Sequence, residues 1–84
     1  MAVAISNTPN PNALKFTVGV AVGGPKTYVA GGDVDEPWAA ELLALDGVTS
    51  VFASADFVTL TKAPQASWED IAPAASEILE RAFS

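Results

Sequence analysis

Three carboxylates, Asp33, Asp35 and Glu36, form the densest cluster of side chains in the sequence that could do chemistry. Carboxylate oxygens are the ligands that hard cations prefer, and two carboxylates can divide the roles of general acid and general base. Their spacing does not match a calcium-binding loop, however, and they directly precede a stretch with helical periodicity. Acidic residues at that position stabilise a helix N-terminus, so capping is the preferred interpretation.

The sequence contains no cysteine and no histidine. Disulfides, thiolate ligands for an iron–sulfur cluster and thiol nucleophiles are therefore excluded from this chain. Zinc sites usually draw on cysteine or histidine, and histidine is the commonest general acid or base. The sequence thus predicts a protein that is not an enzyme and that binds no metal and no cofactor through its own side chains.

Charge narrows the choice of partner. Four basic residues stand against ten acidic ones, which gives a formal net charge of −6. Nucleic acids and anionic membranes both attract a positively charged surface, so we expect neither as a partner. Two interpretations remain: a basic or neutral protein partner, or a charge that only keeps the protein soluble.

The length and hydropathy of the chain limit how many domains and membrane-spanning segments it can contain. No segment approaches the roughly 20 apolar residues that span a bilayer, and the opening residues MAVAIS lack a basic region and a long apolar run. We therefore expect a soluble, cytoplasmic protein. With 84 residues, of which 50% are hydrophobic, the chain has material for one modest core, and the sequence predicts a single domain over residues 1–84.

Residue alternation predicts two β-hairpins. Lys15 to Val20 alternates along its length, and a Gly-Pro turn separates it from a β-prone run at Thr27 to Ala30, so we expect these two runs to pair. A brief strand at Val3 to Ile5 is expected before them. The stretch from Val48 to Lys62 is rich in β-branched and aromatic residues and is interrupted near Ser54 to Asp56, which predicts the second hairpin.

The first of two helices is expected from about Glu36 to Leu45. Asp33 or Asp35 can act as its N-cap, and Pro37 falls in the first turn, where a missing N–H costs nothing. Gly47 can take the left-handed position after the last turn.

The second helix follows Ser67, a suitable N-cap, and its apolar residues recur at helical spacing as far as Phe83. Pro73 conflicts with this pattern because an interior proline removes a backbone hydrogen bond. We expect either a kink at Pro73 or a short turn from Ser67 to Ile71 followed by the helix proper.

The order of elements is β-hairpin, helix, β-hairpin, helix. Each helix has one apolar stripe and each strand one apolar face, so the sequence predicts a two-layer α+β sandwich. In this arrangement an antiparallel sheet of two hairpins carries both helices on one face, in ββαββα order, and its other face is exposed. Phe16 and Trp68 are expected in the core. Phe52 and Phe57 are left undecided, because strand parity beside an irregular turn is unreliable.

The segment TPNPN, from Thr8 to Asn12, combines stiff prolines with asparagines that hydrogen-bond nearby backbone groups. It therefore predicts a rigid, internally bonded turn that delivers Leu14 and Phe16 into the core in fixed register. A recognition loop is the other interpretation.

Three separated motifs resemble the N-terminal domain of the Nfu family of iron–sulfur scaffold proteins. TPNPNALKF, from Thr8 to Phe16, is similar to that domain's opening Thr-Pro-Asn-Pro-Asn run and its Leu-Lys-Phe strand. The stretch from Leu42 to Lys62 resembles its Gly-Val…Val-Phe…Asp-Phe-(Ile/Val)-Thr pattern, and Ser67 to Leu79 resembles its Trp-x-x-(Ile/Leu)-x-Pro segment. The three occur in the family's order and extend over nearly the whole chain.

One departure from the family pattern limits what the resemblance implies. Members normally continue into a second domain whose Cys-x-x-Cys pair binds a four-iron four-sulfur cluster, and this sequence has no cysteine that could match those ligands. The resemblance thus implies a stand-alone domain, a non-catalytic, protein-binding accessory module of iron–sulfur cluster assembly or delivery. The implied partner is a separate cluster-binding Nfu-type domain or another assembly component. The alternative is a generic protein-interaction or regulatory domain unconnected to iron–sulfur metabolism.

The residues expected to contact such a partner lie in the Pro-Asn segment, at the turn of the second hairpin and on the threonine face of its last strand. They are Thr8, Pro9, Asn10, Pro11, Asn12, Phe52, Asp56, Phe57, Thr59 and Thr61.

Overall fold

The computed structural model describes residues 3–83, and this part of the chain folds into five strands and two helices. In chain order these are β1 (Ala4–Asn7), β2 (Ala13–Thr17), β3 (Lys26–Val29), α1 (Pro37–Leu43), β4 (Val48–Ser54), β5 (Phe57–Lys62) and α2 (Trp68–Phe83). No helix among residues 3–83 is long and apolar enough to cross a membrane.

The strands form one antiparallel sheet in the order β1-β2-β5-β4-β3. The predicted α+β class is confirmed, and so is the ββαββα order, with three strands before α1 because the brief strand expected at Val3 to Ile5 is present as β1. The second predicted hairpin is present as β4 and β5. The other hairpin consists of β1 and β2, and it is closed by the Pro-Asn segment.

The predicted pairing of Lys15 to Val20 with Thr27 to Ala30 is wrong, because β2 and β3 lie on opposite sides of the β5–β4 hairpin. The chain between them passes around the tip of that hairpin. There the N–H of Val18 donates to the Asp56 carbonyl at 2.8 Å, and the N–H of Val22 donates to the Ala55 carbonyl at 2.9 Å.

Gly24 makes this crossing geometrically feasible. Its φ is +89°, a left-handed value that favours glycine, and a Cβ at this position would collide with the carbonyl oxygen of Ala53 in β4. Because the backbone can approach β4 this closely, the chain reaches the far edge of the sheet before β3 begins. Val20, expected on the apolar face of a longer strand, lies beyond the end of β2 and is exposed.

The core lies between the sheet and the two helices. Its fully buried side chains come from three strands and both helices: Phe16, Val51, Val58, Leu60, Ala39, Leu42, Ala75 and Leu79. Phe16 is in the core as predicted. Trp68, also expected in the core, is only partly buried: it packs at the margin of the core, and its indole N–H donates to the Pro-Asn segment.

Helix α1 is shorter than expected and begins differently. Its N-cap is Glu36, which makes no side-chain capping hydrogen bond, so the assignment of Asp33 or Asp35 as N-cap is wrong. Pro37 does occupy the first turn. Gly47 has the left-handed φ of +96°, but the helix ends at Leu43, so this glycine turns the chain into β4 and does not cap the helix.

Helix α2 begins as predicted after Ser67, whose hydroxyl accepts a hydrogen bond from the Glu69 N–H at 3.2 Å. The helix is continuous through Pro73, so the alternative of a separate turn before it is wrong. Proline removes one backbone bond close to the helix start, and the buried stripe that includes Ile71 and Ala75 stabilises the helix against that loss.

Candidate functional site

The side of the sheet that the helices do not cover is the candidate site. Residues in register on antiparallel strands point to the same face, and Leu14 pairs with core residue Leu60, so the intervening positions point away from the core. We call this surface the open face. Its residues include Lys15, Thr27, Val29, Ser50, Phe52, Phe57, Thr59 and Thr61.

Two phenylalanines form the apolar centre of the open face. The side chain of Phe52 is 38% exposed and Phe57 is half-buried, with their ring centroids 6.3 Å apart. The ammonium of Lys15 lies 4.5 Å from the centroid of the Phe57 ring, a cation–π distance. The arrangement offers an aromatic contact made of two tilted rings, with one positive charge beside it.

The acidic residues of the protein all lie outside the strands of the sheet. The five strands contain three lysines, Lys15, Lys26 and Lys62, and no aspartate or glutamate. All ten acidic residues of the chain therefore lie in helices and connecting segments. The open face is free of carboxylates in a protein whose net charge is −6.

The Pro-Asn loop, defined as Thr8 to Asn12, is internally bonded as predicted. The Thr8 hydroxyl lies 2.9 Å from the carbonyl oxygens of Asn10 and Ala13 and can donate to either. The N–H of Asn12 donates to the side-chain oxygen of Asn10 at 2.9 Å. These local hydrogen bonds stabilise the conformation of the turn.

The same loop is also tied to the helix layer. The indole N–H of Trp68 donates to the Pro11 carbonyl at 3.1 Å, and the ammonium of Lys62 donates to Asn12 Oδ1 at 3.2 Å. Its contacts are those of a structural element that joins β1, β5 and α2. Pro9 and Asn10 at its tip are exposed.

The ten residues predicted as contacts do not form one site. Phe52, Phe57, Thr59 and Thr61 come together on the open face. The Pro-Asn loop lies at one end of the sheet, and Asp56, in the β4–β5 turn, lies at the other. Lys15, Thr27, Val29 and Ser50 also belong to the face and were missed. The register of Lys15, Thr27 and Val29 beside β5 and β4 depends on a strand order that local alternation does not encode.

The carboxylate cluster near α1 does not form a cation site. Asp35 pairs with the ammonium of Lys26 at 3.0 Å, while Glu36 accepts a hydrogen bond from the Trp38 indole at 3.2 Å. The hydrogen bond from Lys26 lowers the pKa of Asp35 below its usual value, and the same bond raises the pKa of Lys26. Within residues 3–83, no three side chains of metal-binding type are grouped to hold an ion.

Comparison with known proteins gives a consistent family match. The sequence model described as "Scaffold protein Nfu/NifU N terminal" matches residues 3–84. The chain is 33% identical over 76 residues to NifU-like protein 5, mitochondrial, of Arabidopsis thaliana, a match that covers 87% of this chain and 28% of that protein. It is 42% identical over 77 residues to the NFU1 iron-sulfur cluster scaffold homolog, mitochondrial, of Drosophila erecta, covering 87% and 27% respectively.

A solved structure is similar over almost its full length. The crystal structure of protein SAV1430 from Staphylococcus aureus superposes with a TM-score of 0.78 at 30% sequence identity, covering 93% of this chain and 98% of that one. By contrast, the chain spans just over a quarter of the length of the two curated relatives named above.

Proposed function

The chain belongs to the Nfu/NifU N-terminal family, and we propose that it is a non-catalytic module that binds another protein during iron–sulfur cluster assembly or delivery. The cluster in this proposal is cargo held by the partner, because this chain has no cysteine to ligate it. The proposed partner is a cluster-binding Nfu-type domain with a Cys-x-x-Cys pair, or another assembly component. A cytoplasmic location and a single domain over residues 1–84 stay predictions of the sequence.

The observation that carries the proposal is the exposed aromatic pair of the open face. Aromatic residues are enriched at the centres of protein interfaces, where burying them supplies much of the binding free energy. Phe52 and Phe57 lie on strands, so the backbone holds them in place and little conformational entropy is lost on binding. Threonines surround them and offer hydroxyl groups to a polar rim.

A binding role also agrees with the chemistry of the ion pair between Lys26 and Asp35. Catalysis by proton transfer needs a group whose pKa lies near the working pH. The ion pair of Lys26 and Asp35 moves both pKa values away from neutrality, which makes this pair unsuited to general acid–base work at pH 7.

The test is an NMR titration of the ¹⁵N-labelled chain with a separately produced Cys-x-x-Cys domain from an Nfu protein of the same source, loaded with its cluster. We expect saturable shifts on the open face, at Phe52, Phe57 and Thr59. Phe52→Thr should weaken binding by roughly tenfold or more, as expected for an aromatic residue at an interface centre. Glu77→Gln, on the exposed side of α2, is the matched control and should leave the affinity unchanged.

Two results would contradict the proposal. An unchanged spectrum at large excess of the loaded domain would remove this partner, and shifts confined to the helix layer would remove the open face as the contact surface. Additional shifts in the Pro-Asn loop would extend the interface to the end of the sheet where Thr61 pairs with Ala13.

A further inference from the structure

The two edges of the sheet differ in how they are protected. Edge strands present unpaired N–H and C=O groups, and proteins usually block them with charges, prolines or covering segments. Strand β3 has such protection: Pro25 precedes it, it begins with Lys26, and the ion pair of Lys26 with Asp35 draws the segment before α1 alongside it. Within residues 3–83, strand β1 at the opposite edge has none of these features.

Strand β1 is uncharged, contains no proline and is exposed at all of its residues, Ala4 to Asn7. Among residues 3–83 its backbone hydrogen bonds are confined to the ladder with β2. Its outer edge is therefore a row of backbone donors and acceptors that have no partner within the described residues 3–83.

The direction of each backbone group follows from the pattern in β2. The carbonyl of Asn12 accepts a hydrogen bond from β5, and the N–H of Val18 donates to the turn that precedes β5. Because backbone groups alternate in direction along an antiparallel strand, the even-numbered residues of β2 bond to β5. The odd-numbered residues Lys15 and Thr17 then bond to β1.

This parity assigns the outward groups of β1. Ser6 and Ala4 lie opposite Lys15 and Thr17, so their N–H and C=O groups point inward to β2. The N–H and C=O groups of Ile5 and Asn7 point outward, away from the sheet. The two N–H donors and two C=O acceptors of Ile5 and Asn7, spaced as in a strand, can therefore bond to a further strand.

The side chain of Ile5 adds an apolar contact. It lies opposite Phe16, which is completely buried, yet Ile5 itself is 47% exposed. A strand added at this edge would place a side chain beside Ile5 on the helix side of the sheet and would cover it. On the open-face side, the neighbours are the small polar Ser6 and, one strand inward, Lys15.

We infer that β1 binds an extended segment of a partner protein, which adds to the sheet as a sixth strand. The segment alternates aliphatic side chains, which pack against Ile5, with small hydroxyl side chains, which lie beside Ser6. A second copy of the chain fits less well, since two molecules of net charge −6 repel each other. A four-residue strand, about 13 Å long, also offers far less than the roughly 800 Å² per partner of a stable dimer.

This inference rests on backbone hydrogen bonding and is independent of the iron–sulfur role. The probe is an acetylated, amidated heptapeptide that alternates threonine with valine and isoleucine and has a lysine at each end. We expect solvent exchange of the Ile5 and Asn7 amides to slow roughly tenfold when the free peptide is at about nine times its dissociation constant. The Ala4 and Ser6 amides, already bonded to β2, should change little.

The matched variants are Asn7→Pro and Asn7→Ala. Proline removes the outward N–H while leaving the bonds to β2 intact, so it should abolish peptide binding, whereas alanine should preserve it. If Asn7→Pro does not fold, Ile5→Lys, which places a charge on the edge, should weaken binding in its place.

Three outcomes would overturn the inference. The first is an unchanged exchange rate at Ile5 and Asn7 with millimolar peptide. The second is equal protection of the β3 amides, which would show that the edges are not distinct. The third is concentration-dependent protection without peptide, which would identify a second copy as the occupant.

Discussion

The ammonium of Lys62 lies 3.2 Å from Asn12 Oδ1 and joins the end of β5 to a loop 50 residues earlier in the chain. Lys62 is only 8% exposed, and it is the one buried charged side chain within residues 3–83. Its ammonium also lies 3.4 Å from the Ala63 carbonyl and 5.8 Å from the centre of the Trp68 ring. These contacts hold the Pro-Asn loop against the start of α2.

Removal of either partner of this pair should destabilise the protein. Because a hydrogen bond to a charged group contributes about 1.5–3 kcal/mol, we expect Asn12→Ala and Lys62→Met each to lower the free energy of unfolding by about 1–2 kcal/mol. The double variant should cost less than the sum, with a coupling of about 1 kcal/mol. Urea denaturation measures all three. Lys62→Met combined with Glu77→Ala is the additive control, and full additivity in the Lys62–Asn12 cycle would contradict the assigned bond.

The ion pair of Lys26 and Asp35 should be visible in a carboxyl titration. The hydrogen bond from Lys26 lowers the pKa of Asp35, so the carboxylate should titrate below its ordinary value of 3.8. In Lys26→Met the pKa should return toward that value, while Lys15→Met, on the open face, should leave it unchanged. Carboxyl ¹³C NMR shifts give the measurement, and an Asp35 pKa unaffected by Lys26→Met would exclude the pair in solution.

The ion pair of Lys26 and Asp35 also makes the stability of the protein depend on pH, in a direction that follows from the two pKa shifts. A lowered carboxylate pKa contributes stability that is present above pH 3.8 and is lost as the pH falls through the folded value. The raised pKa of Lys26 contributes stability below pH 10.5 that is lost as the pH rises through its folded value. Because both side chains are exposed, the loss at either limit should be small, and about 1 M salt should reduce it further.

Two glycines with similar backbone angles should respond differently to alanine. Gly31 and Gly47 have φ of +83° and +96°, so alanine is strained at both. A Cβ at Gly31 meets no atom within 4 Å, but a Cβ at Gly47 would lie 2.5 Å from the Cβ of Ala66. We expect Gly31→Ala to cost about 1 kcal/mol and Gly47→Ala about 2–3 kcal/mol in chemical denaturation. Equal costs would mean that Ala66 moves away freely.

The β4–β5 turn offers a stabilising substitution. Ala55 has a φ of +52°, a left-handed value that costs a non-glycine residue roughly 1 kcal/mol. Ala55→Gly removes this strain, although glycine also gains freedom in the unfolded chain, so the expected net gain is at most about 0.5 kcal/mol. Ala30→Gly, at a residue without a left-handed φ, is the control and should only destabilise. A clear loss of stability in Ala55→Gly would contradict the strained turn.

Substitution of the buried Phe16 should destabilise the protein much more than substitution of the exposed Phe52. Phe16 is completely buried, and Phe16→Ala should cost about 3–5 kcal/mol, enough to unfold a large share of so small a protein. Phe52→Thr on the open face should cost less than about 1 kcal/mol. A loss above about 2 kcal/mol for Phe52→Thr would show that this ring supports the fold, and its use in the binding test would then fail.

Some elements of the fold followed directly from local pattern. The helical spacing of apolar residues and the Ser67 cap located α2, and the interrupted β-rich stretch located β4 and β5. The extent of α1 was overestimated, because the apolar spacing continues to Leu45 while the helix ends at Leu43. Spacing alone does not show where backbone hydrogen bonds stop.

The residues of the open face show which exposed positions the sequence could predict and which it could not. Alternation in β5 correctly separated Thr59 and Thr61 from core residues Val58 and Leu60. The exposure of Phe52 could not be predicted, since its face depends on the residue count through the Ala55–Asp56 turn and on the irregularity between Val48 and Ser50.

The sequence by itself determined the types of most elements, the α+β class, the rigid Pro-Asn loop and the family to which the chain belongs, because these depend on periodicity, turn chemistry and short motifs. Only the tertiary structure decided the strand order, which leaves β1 as an open edge and takes β3 to the far side of β4. Pairing between strands distant in sequence depends on how the chain crosses the hairpin tip and on core packing around Phe16. Local alternation is the same whichever neighbour a strand acquires.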